Sequence, residues 1–178
     1  ERVAGADLIF DICDHGARNG YRIFLLGGAE GVGERAAERL KDRYPGLQIV
    51  GVEAPPFRQP TPEEHDQLIA RIRDAKPDIL FIAFGQPKGE RWMYQNYRAT
   101  GVPVSVQVGA SLDFAAGRVK RAPLWVQKIG MEWAYRLWLE PGRLFSRYAR
   151  NAWFIASQTV RGPRARPAEA APAPPPAG

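Results

Sequence analysis

A single cysteine, Cys13, stands among the 178 residues, so no internal disulfide can form and a reducing, cytosolic setting is the simpler expectation. Histidine is nearly as scarce. His15 and His65 have no second plausible ligand close by in sequence, and no metal site is expected. No apolar run approaches the roughly 18 residues of a spanning helix, nothing resembles a signal peptide, and no internal repeat is seen. The expectation is a protein that is soluble or lies on a membrane surface. Acidic residues, finally, are rare in one region only. Residues 118–178 hold 3 Asp/Glu against 11 Lys/Arg, a balance of +8, while residues 1–117 hold 16 against 14, a balance of −2. Such asymmetry points to an anionic partner: lipid headgroups, a diphosphate or nucleic acid. A merely well-solvated basic face is the plain alternative.

What is present is a chain long enough for one compact domain, 45% apolar, with strand and helix signals in alternation. Arg22 to Leu26 is a short apolar run stopped by Gly27-Gly28, which reads as a buried strand and tight turn. Val32 to Leu40 reads as a helix ended by Tyr44-Pro45-Gly46, and Gln48 to Val52 as a second strand. Thr61, with Pro62 after it and Glu64 three residues on, is a capping-box start for a helix to about Lys76. Asp78 to Phe84 is the strongest strand signal; a helix over about Gly89–Tyr97 and a β-branched run over Val102–Val108 follow. The rhythm predicts an α/β, Rossmann-like parallel sheet with helices on both faces.

From Ala122 the strand signals stop. A stretch rich in tryptophan and arginine reads as helical to about Gln158, broken near Pro141-Gly142. The last residues, Gly162 to Gly178, are almost only Pro, Ala, Gly and Arg, a composition expected to stay disordered. The expected organisation is a nucleotide-sugar-binding core over 1–123, a helical appendage over 124–160 and a tail over 161–178.

In a doubly wound sheet, ligands bind beyond the carboxyl ends of the strands. Three strands here end in glycine loops: Gly27-Gly28-Ala29-Glu30-Gly31, Gly85-Gln86-Pro87-Lys88 and Gly109-Ala110-Ser111. Glycine admits a ligand close to the backbone, and a following helix offers free N–H groups to a phosphate. Gly28-x-x-Gly31-x-Gly33 is only loosely like a dinucleotide fingerprint, and ordinary turn glycines explain it about as well. Asp113, just past the fourth strand, suits sugar or ribose hydroxyls, and equally a cap on the next turn. Lys120 and Arg121 suit a diphosphate, or simple solvation.

Taken together, Gly109-Ala110-Ser111-Leu112-Asp113-Phe114-Ala115-Ala116-Gly117-Arg118-Val119-Lys120-Arg121-Ala122-Pro123 resembles the signature of the WecG/TagA/CpsF glycosyltransferases, glycosyltransferase family 26. Similar too are Met131-Glu132-Trp133-Ala134-Tyr135-Arg136-Leu137, Glu140-Pro141 and Arg143-Leu144, and upstream Glu1 to Leu8, Phe24 to Gly28 and Tyr44 to Leu47. The resemblance implies an inverting, metal-independent transferase that needs no cofactor. It implies transfer of N-acetylmannosamine, its uronic acid or glucose from a UDP donor to a polyprenyl-diphosphate-linked acceptor, in surface polysaccharide synthesis. Such chemistry needs a base for the acceptor hydroxyl and cations or N–H groups for the departing diphosphate.

The resemblance assigns the substrate pocket to Arg2, Gly27, Gly28, Gly85, Gln86, Lys88, Glu90, Gly109, Asp113, Lys120 and Arg121. Two departures appear. The family's Gly-x-Pro-Lys-Gln-Glu reads Gly85-Gln86-Pro87-Lys88-Gly89-Glu90 here, so a glutamine is replaced by Gly89, and Gln86 stands as the candidate to compensate. The family's aspartate base lies upstream of the segment matching Glu1-Arg2-Val3-Ala4-Gly5, so this sequence by itself is expected not to turn over. A non-catalytic nucleotide-sugar-binding or assembly module is accordingly the rival reading.

Arg143, Arg147 and Arg150 share one helical face, joined by Arg136 if the helix keeps its register past Pro141. With the neighbouring aromatics they suit an interfacial helix on an anionic membrane, and also the acceptor's diphosphate. An ordinary packing helix is the alternative. The expected location is the inner face of the cytoplasmic membrane, with self-association away from it. Nucleic acid is not expected: the basic residues cluster on one terminal helix and no recognition motif is present.

Overall fold

The computed structural model describes residues 5–56, 58, 60–119, 122–123, 125–126, 129–139, 141–142, 149, 153 and 157. The chain divides into two compact units, Glu1–Arg121 and Ala122–Gly178.

The first unit alternates helix and strand: α1 (Gly5–Asn19), β1 (Arg22–Gly27), α2 (Val32–Arg43), β2 (Gln48–Glu53), α3 (Pro62–Asp74), β3 (Ile79–Ala83), α4 (Lys88–Thr100), β4 (Val104–Gln107) and α5 (Ser111–Ala115). The four strands form one sheet in the order β2-β1-β3-β4, and every pairing is parallel. The period-2 alternation of the two central strands explains the layers. Ile23, Leu25, Ile79 and Phe81 point into a core shared with α1, α2 and α5 residues such as Cys13, Leu40 and Leu112. Phe24, Leu26, Leu80 and Ile82 point to the opposite face, against Leu68 and Ile72 of α3. Both faces are covered, as the continuous apolar runs of a parallel sheet require.

Local signals account for most boundaries. Thr61 accepts a hydrogen bond from the Glu64 N–H while Glu64 accepts from the Thr61 N–H, so the capping box forms as expected. β4 starts two residues later than the sequence pattern suggests, because Pro103 has no N–H to give a ladder. α5 was not anticipated: it is a single short turn of helix immediately after Gly109 and Ala110.

At the amino ends of the strands, polar groups are mutually satisfied. The Arg22 N–H donates to the Asp78 carboxylate at 2.8 Å, and its guanidinium donates to the carbonyls of Ala75 and Lys76 at 2.9 and 3.1 Å. One side chain thus ties β1 to the carboxyl end of α3, where carbonyls would otherwise lack partners.

In the second unit, α6 spans Glu132–Leu139. Pro141 and Gly142, expected to break the helical run, have helical backbone themselves. The anticipated tail from Gly162 to Gly178 lies outside the described residues. Among the described residues, no helix is long and apolar enough to cross a membrane.

Candidate functional site

The sheet order places a topological switch between β1 and β3. β1 leads through α2 outward to β2, and β3 leads through α4 the opposite way to β4. Loops that leave neighbouring strands in opposite directions open a crevice at their carboxyl ends.

Three loops close on that crevice. β1 runs into Gly27 and Gly28, whose φ angles of 100° and 89° lie in the region glycine alone adopts readily. A Cβ on Gly27 would stand 2.8 Å from the ring of Phe84, the residue just past β3. A Cβ on Gly28 would stand 3.2 Å from Leu112 of α5, beyond β4. The glycines of the first loop are therefore needed for close approach, and not only for turning. They bring the loops after β1, β3 and β4 together.

The loop after β3 carries most of the polar groups. Gly85, Gln86 and Lys88 are exposed, and the Gln86–Pro87 peptide is cis. The Lys88 ammonium lies 5.5 Å from the centroid of the Phe84 ring, which puts a cation at the rim of the convergence point. One turn into α4, Oε2 of Glu90 is buried without a hydrogen-bond partner. Gln107, the last residue of β4, donates through Nε2 to the Phe84 carbonyl, while its Oε1 is also buried and unpartnered. These two are the buried side-chain polar atoms left without a partner among the described residues. Burying an acceptor without a donor costs roughly 1–3 kcal/mol, and both of these acceptors lie on elements that border the crevice.

The third loop turns at Gly109, with φ at 50°, into α5. Asp113 on that helix is largely covered, with its carboxylate 3.8 Å from the Arg118 guanidinium. Its carbonyl accepts from the N–H groups of Arg118 and Val119, and α5 itself begins without a side-chain cap. The carboxylate keeps capacity to accept further hydrogen bonds.

Gly27, Gly28, Gly85, Lys88, Glu90, Gly109 and Asp113 thus lie on the three loops or on the helices that follow them, and Gln86 is exposed on the middle one. Arg2, Lys120, Arg121, Arg143, Arg147 and Arg150 lie outside the described residues, and of Arg136 only its position on α6 is described. Two groups are removed from consideration by their surroundings. Burial pushes the Cys13 thiol up to about 12, so it is no nucleophile at neutral pH. His65 is engaged with Asn96 at 2.9 Å between α3 and α4.

Gln107 and Phe84 are the residues that sequence reasoning passed over. The available signal was the alternation Val104-Ser105-Val106-Gln107-Val108, which puts a polar carboxamide on the Ser105 phase at the strand's carboxyl end. In the second unit the exposed large side chains are Trp125, Ile129, Met131, Trp133, Trp138, Leu139 and Trp153. So much exposed apolar surface on so few described residues is unusual for a surface that meets only water.

Comparison with known proteins identifies the scaffold. The chain is 33% identical over 148 residues to the N-acetylglucosaminyldiphosphoundecaprenol N-acetyl-beta-D-mannosaminyltransferase of Staphylococcus aureus (strain MRSA252), covering 82% of this chain and 56% of that one. It is 30% identical over 142 residues to the protein of the same name from Bacillus subtilis (strain 168), covering 80% of this chain and 54% of that one. The chain therefore spans about half the length of the curated relatives it matches. The family model described as "Glycosyl transferase WecG/TagA/CpsF family" matches residues 1–168, nearly the whole sequence, and the chain belongs to that family.

Proposed function

We propose that this chain forms the nucleotide-sugar-binding part of an inverting hexosyltransferase of bacterial surface polysaccharide synthesis. The donor is a UDP-sugar carrying N-acetylmannosamine, its uronic acid or a glucose-like sugar, and the acceptor is a glycan on a polyprenyl diphosphate. The observation that carries this reading is the closure of three loops on the β1/β3 switch point. Glycine N–H groups and Lys88 there suit a diphosphate, and Glu90, Gln107 and Asp113 suit hydroxyls. In such a transfer a base takes the acceptor hydroxyl's proton as its oxygen attacks the anomeric carbon, and the bond to the diphosphate breaks. Lys88 and the loop N–H groups take up the charge that develops on the leaving oxygen. The relatives' printed names support a mannosaminyl donor and a lipid-diphosphate acceptor.

The second unit is assigned to an anionic membrane surface on the cytoplasmic side, where the acceptor's lipid is anchored. Its exposed tryptophans supply interfacial anchors and its lysine and arginine excess the attraction. Self-association through the same aromatics is expected away from lipid.

Calorimetric titration with UDP-N-acetylmannosamine tests the core, followed by an assay for product on a lipid-diphosphate acceptor. Saturable binding with turnover is expected of a complete transferase. Binding without turnover leaves the nucleotide-sugar-binding module, and absence of binding ends the reading. Co-sedimentation with anionic vesicles tests the second unit: a chain cut before Gly130 is expected to stay in the supernatant, and equal binding by both sinks the assignment.

A further inference from the structure

Gly89 has no room for a side chain. A Cβ there would lie 2.0, 2.4 and 2.6 Å from Nε2, Cδ and Oε1 of Gln107. The carboxamide of Gln107 therefore occupies the space that a residue-89 side chain would fill, in the first turn of α4. It is fixed there by its hydrogen bond to the Phe84 carbonyl, which commits the N–H side of the amide and leaves Oε1 as the free end. Next along α4, Glu90 contributes the other open atom, Oε2.

Both open atoms accept hydrogen bonds, and a carboxylate and an amide oxygen bound this way cannot donate. That decides what can meet them. A phosphate brings only acceptors and negative charge, and Glu90 repels it. A sugar brings hydroxyl donors, and an acetamido sugar an N–H donor as well. Next to the Phe84 carbonyl, Gly85 is exposed and brings no side chain to that side.

We propose that Gln107, seated over Gly89 and acting with Glu90, is a specificity-determining residue that reads the sugar of the donor, while the diphosphate lies toward Lys88 and the Gly27-Gly28 loop. The inference rests on the nucleotide-sugar reading above and deepens it by giving the sugar one side of the crevice. It also couples two positions that are far apart in sequence: a side chain at residue 89 and the amide of Gln107 compete for one space.

The test compares UDP with UDP-N-acetylmannosamine by calorimetry on the full chain. Gln107→Met keeps the packing over Gly89 and removes the amide. It is expected to weaken UDP-N-acetylmannosamine about tenfold, a single lost hydrogen bond, and to leave UDP unchanged. Gly89→Gln alone is expected to lower the melting temperature through overlap with Gln107. The double exchange Gly89→Gln with Gln107→Gly returns a carboxamide to the same space and is expected to recover sugar affinity to within about threefold. Equal weakening of UDP and UDP-N-acetylmannosamine by Gln107→Met, or no change in either, overturns the sugar assignment. If the unaltered chain binds UDP and UDP-N-acetylmannosamine equally, the nucleotide site stands and the sugar contact falls. If it binds neither, the parent reading fails with it.

Discussion

The two ends of the parallel sheet are built from the same kinds of residue and finish in opposite conditions. At the amino ends, Arg22 and Asp78 satisfy one another's backbone, and the Arg22 guanidinium reaches the carbonyls of Ala75 and Lys76 just past α3. At the carboxyl ends, glycines at positive φ let three loops close together, and two buried acceptors have no donor among the described residues. Closed polar groups stabilise a fold; open ones in a crevice bind something. The contrast is what the proposed placement of the nucleotide-sugar at the carboxyl ends rests on, since both ends meet the same cores.

Four substitutions, one of them read by acid titration, test the contrast. The largest effect is expected from Gly27→Ala. It adds a Cβ against Phe84 at a φ that L-residues disfavour, and urea unfolding should show a loss of about 3 kcal/mol together with lost UDP binding. Unchanged UDP affinity in that variant would detach the first loop from the site. Arg22→Ala, at the other end, is expected to cost about 1–2 kcal/mol, because the carbonyls that close α3 lose an exposed charged donor. UDP affinity should stay at the unaltered value; a fall would mean the two ends are not independent.

Lys88→Ala should move stability by less than about 0.5 kcal/mol, since Lys88 is exposed and its ammonium lies 5.5 Å from the Phe84 ring centroid. It should weaken UDP severalfold with a reduced salt dependence, and stability loss without binding loss would reverse the assignment.

The smallest effect concerns the loop from β2 into α3, where Arg58, Thr61 and Glu64 are paired with one another. Hydrogen bonds from Arg58 and the Thr61 N–H hold the Glu64 carboxyl at about 2, below its usual 4.5. A carboxyl depressed in the folded state adds stability above its ordinary value and loses it as pH falls toward the folded one. Acid titration of unfolding should therefore show a small decline between pH 4.5 and about 2 that Glu64→Gln flattens. Nucleotide binding above that range should be the same in both, which would place this loop with the closed groups.

The second unit offers a different comparison with the first. Apart from its fringe, the core keeps large apolar side chains inside, as Phe81, Leu25 and Ile82 show, while the second unit turns Trp125, Trp138 and Trp153 outward. Composition made that difference readable in advance: helical patterning without strand partners, and a positive balance of charge, leave aromatics with little to bury against.

Local pattern determined a good deal by itself. Apolar runs stopped by glycine placed β1 and β3, Thr61 and Glu64 placed the start of α3, and the Gly109–Pro123 block carried the family. These are properties of periodicity, capping and residue order, which neighbours in sequence express without help. The direct contacts inside the site were decided elsewhere. That Phe84 lies against Gly27, that Leu112 lies against Gly28, and that Gln107 fills the space over Gly89 depend on strand order and on the register of β3 with β4. The replacement of a family glutamine by Gly89 looked like a deficit with Gln86 as the nearest remedy. Folding brings Gln107 to that place from the neighbouring strand. Contacts of this kind join residues across the sheet, and a one-dimensional pattern carries no measure of which strand will become whose neighbour.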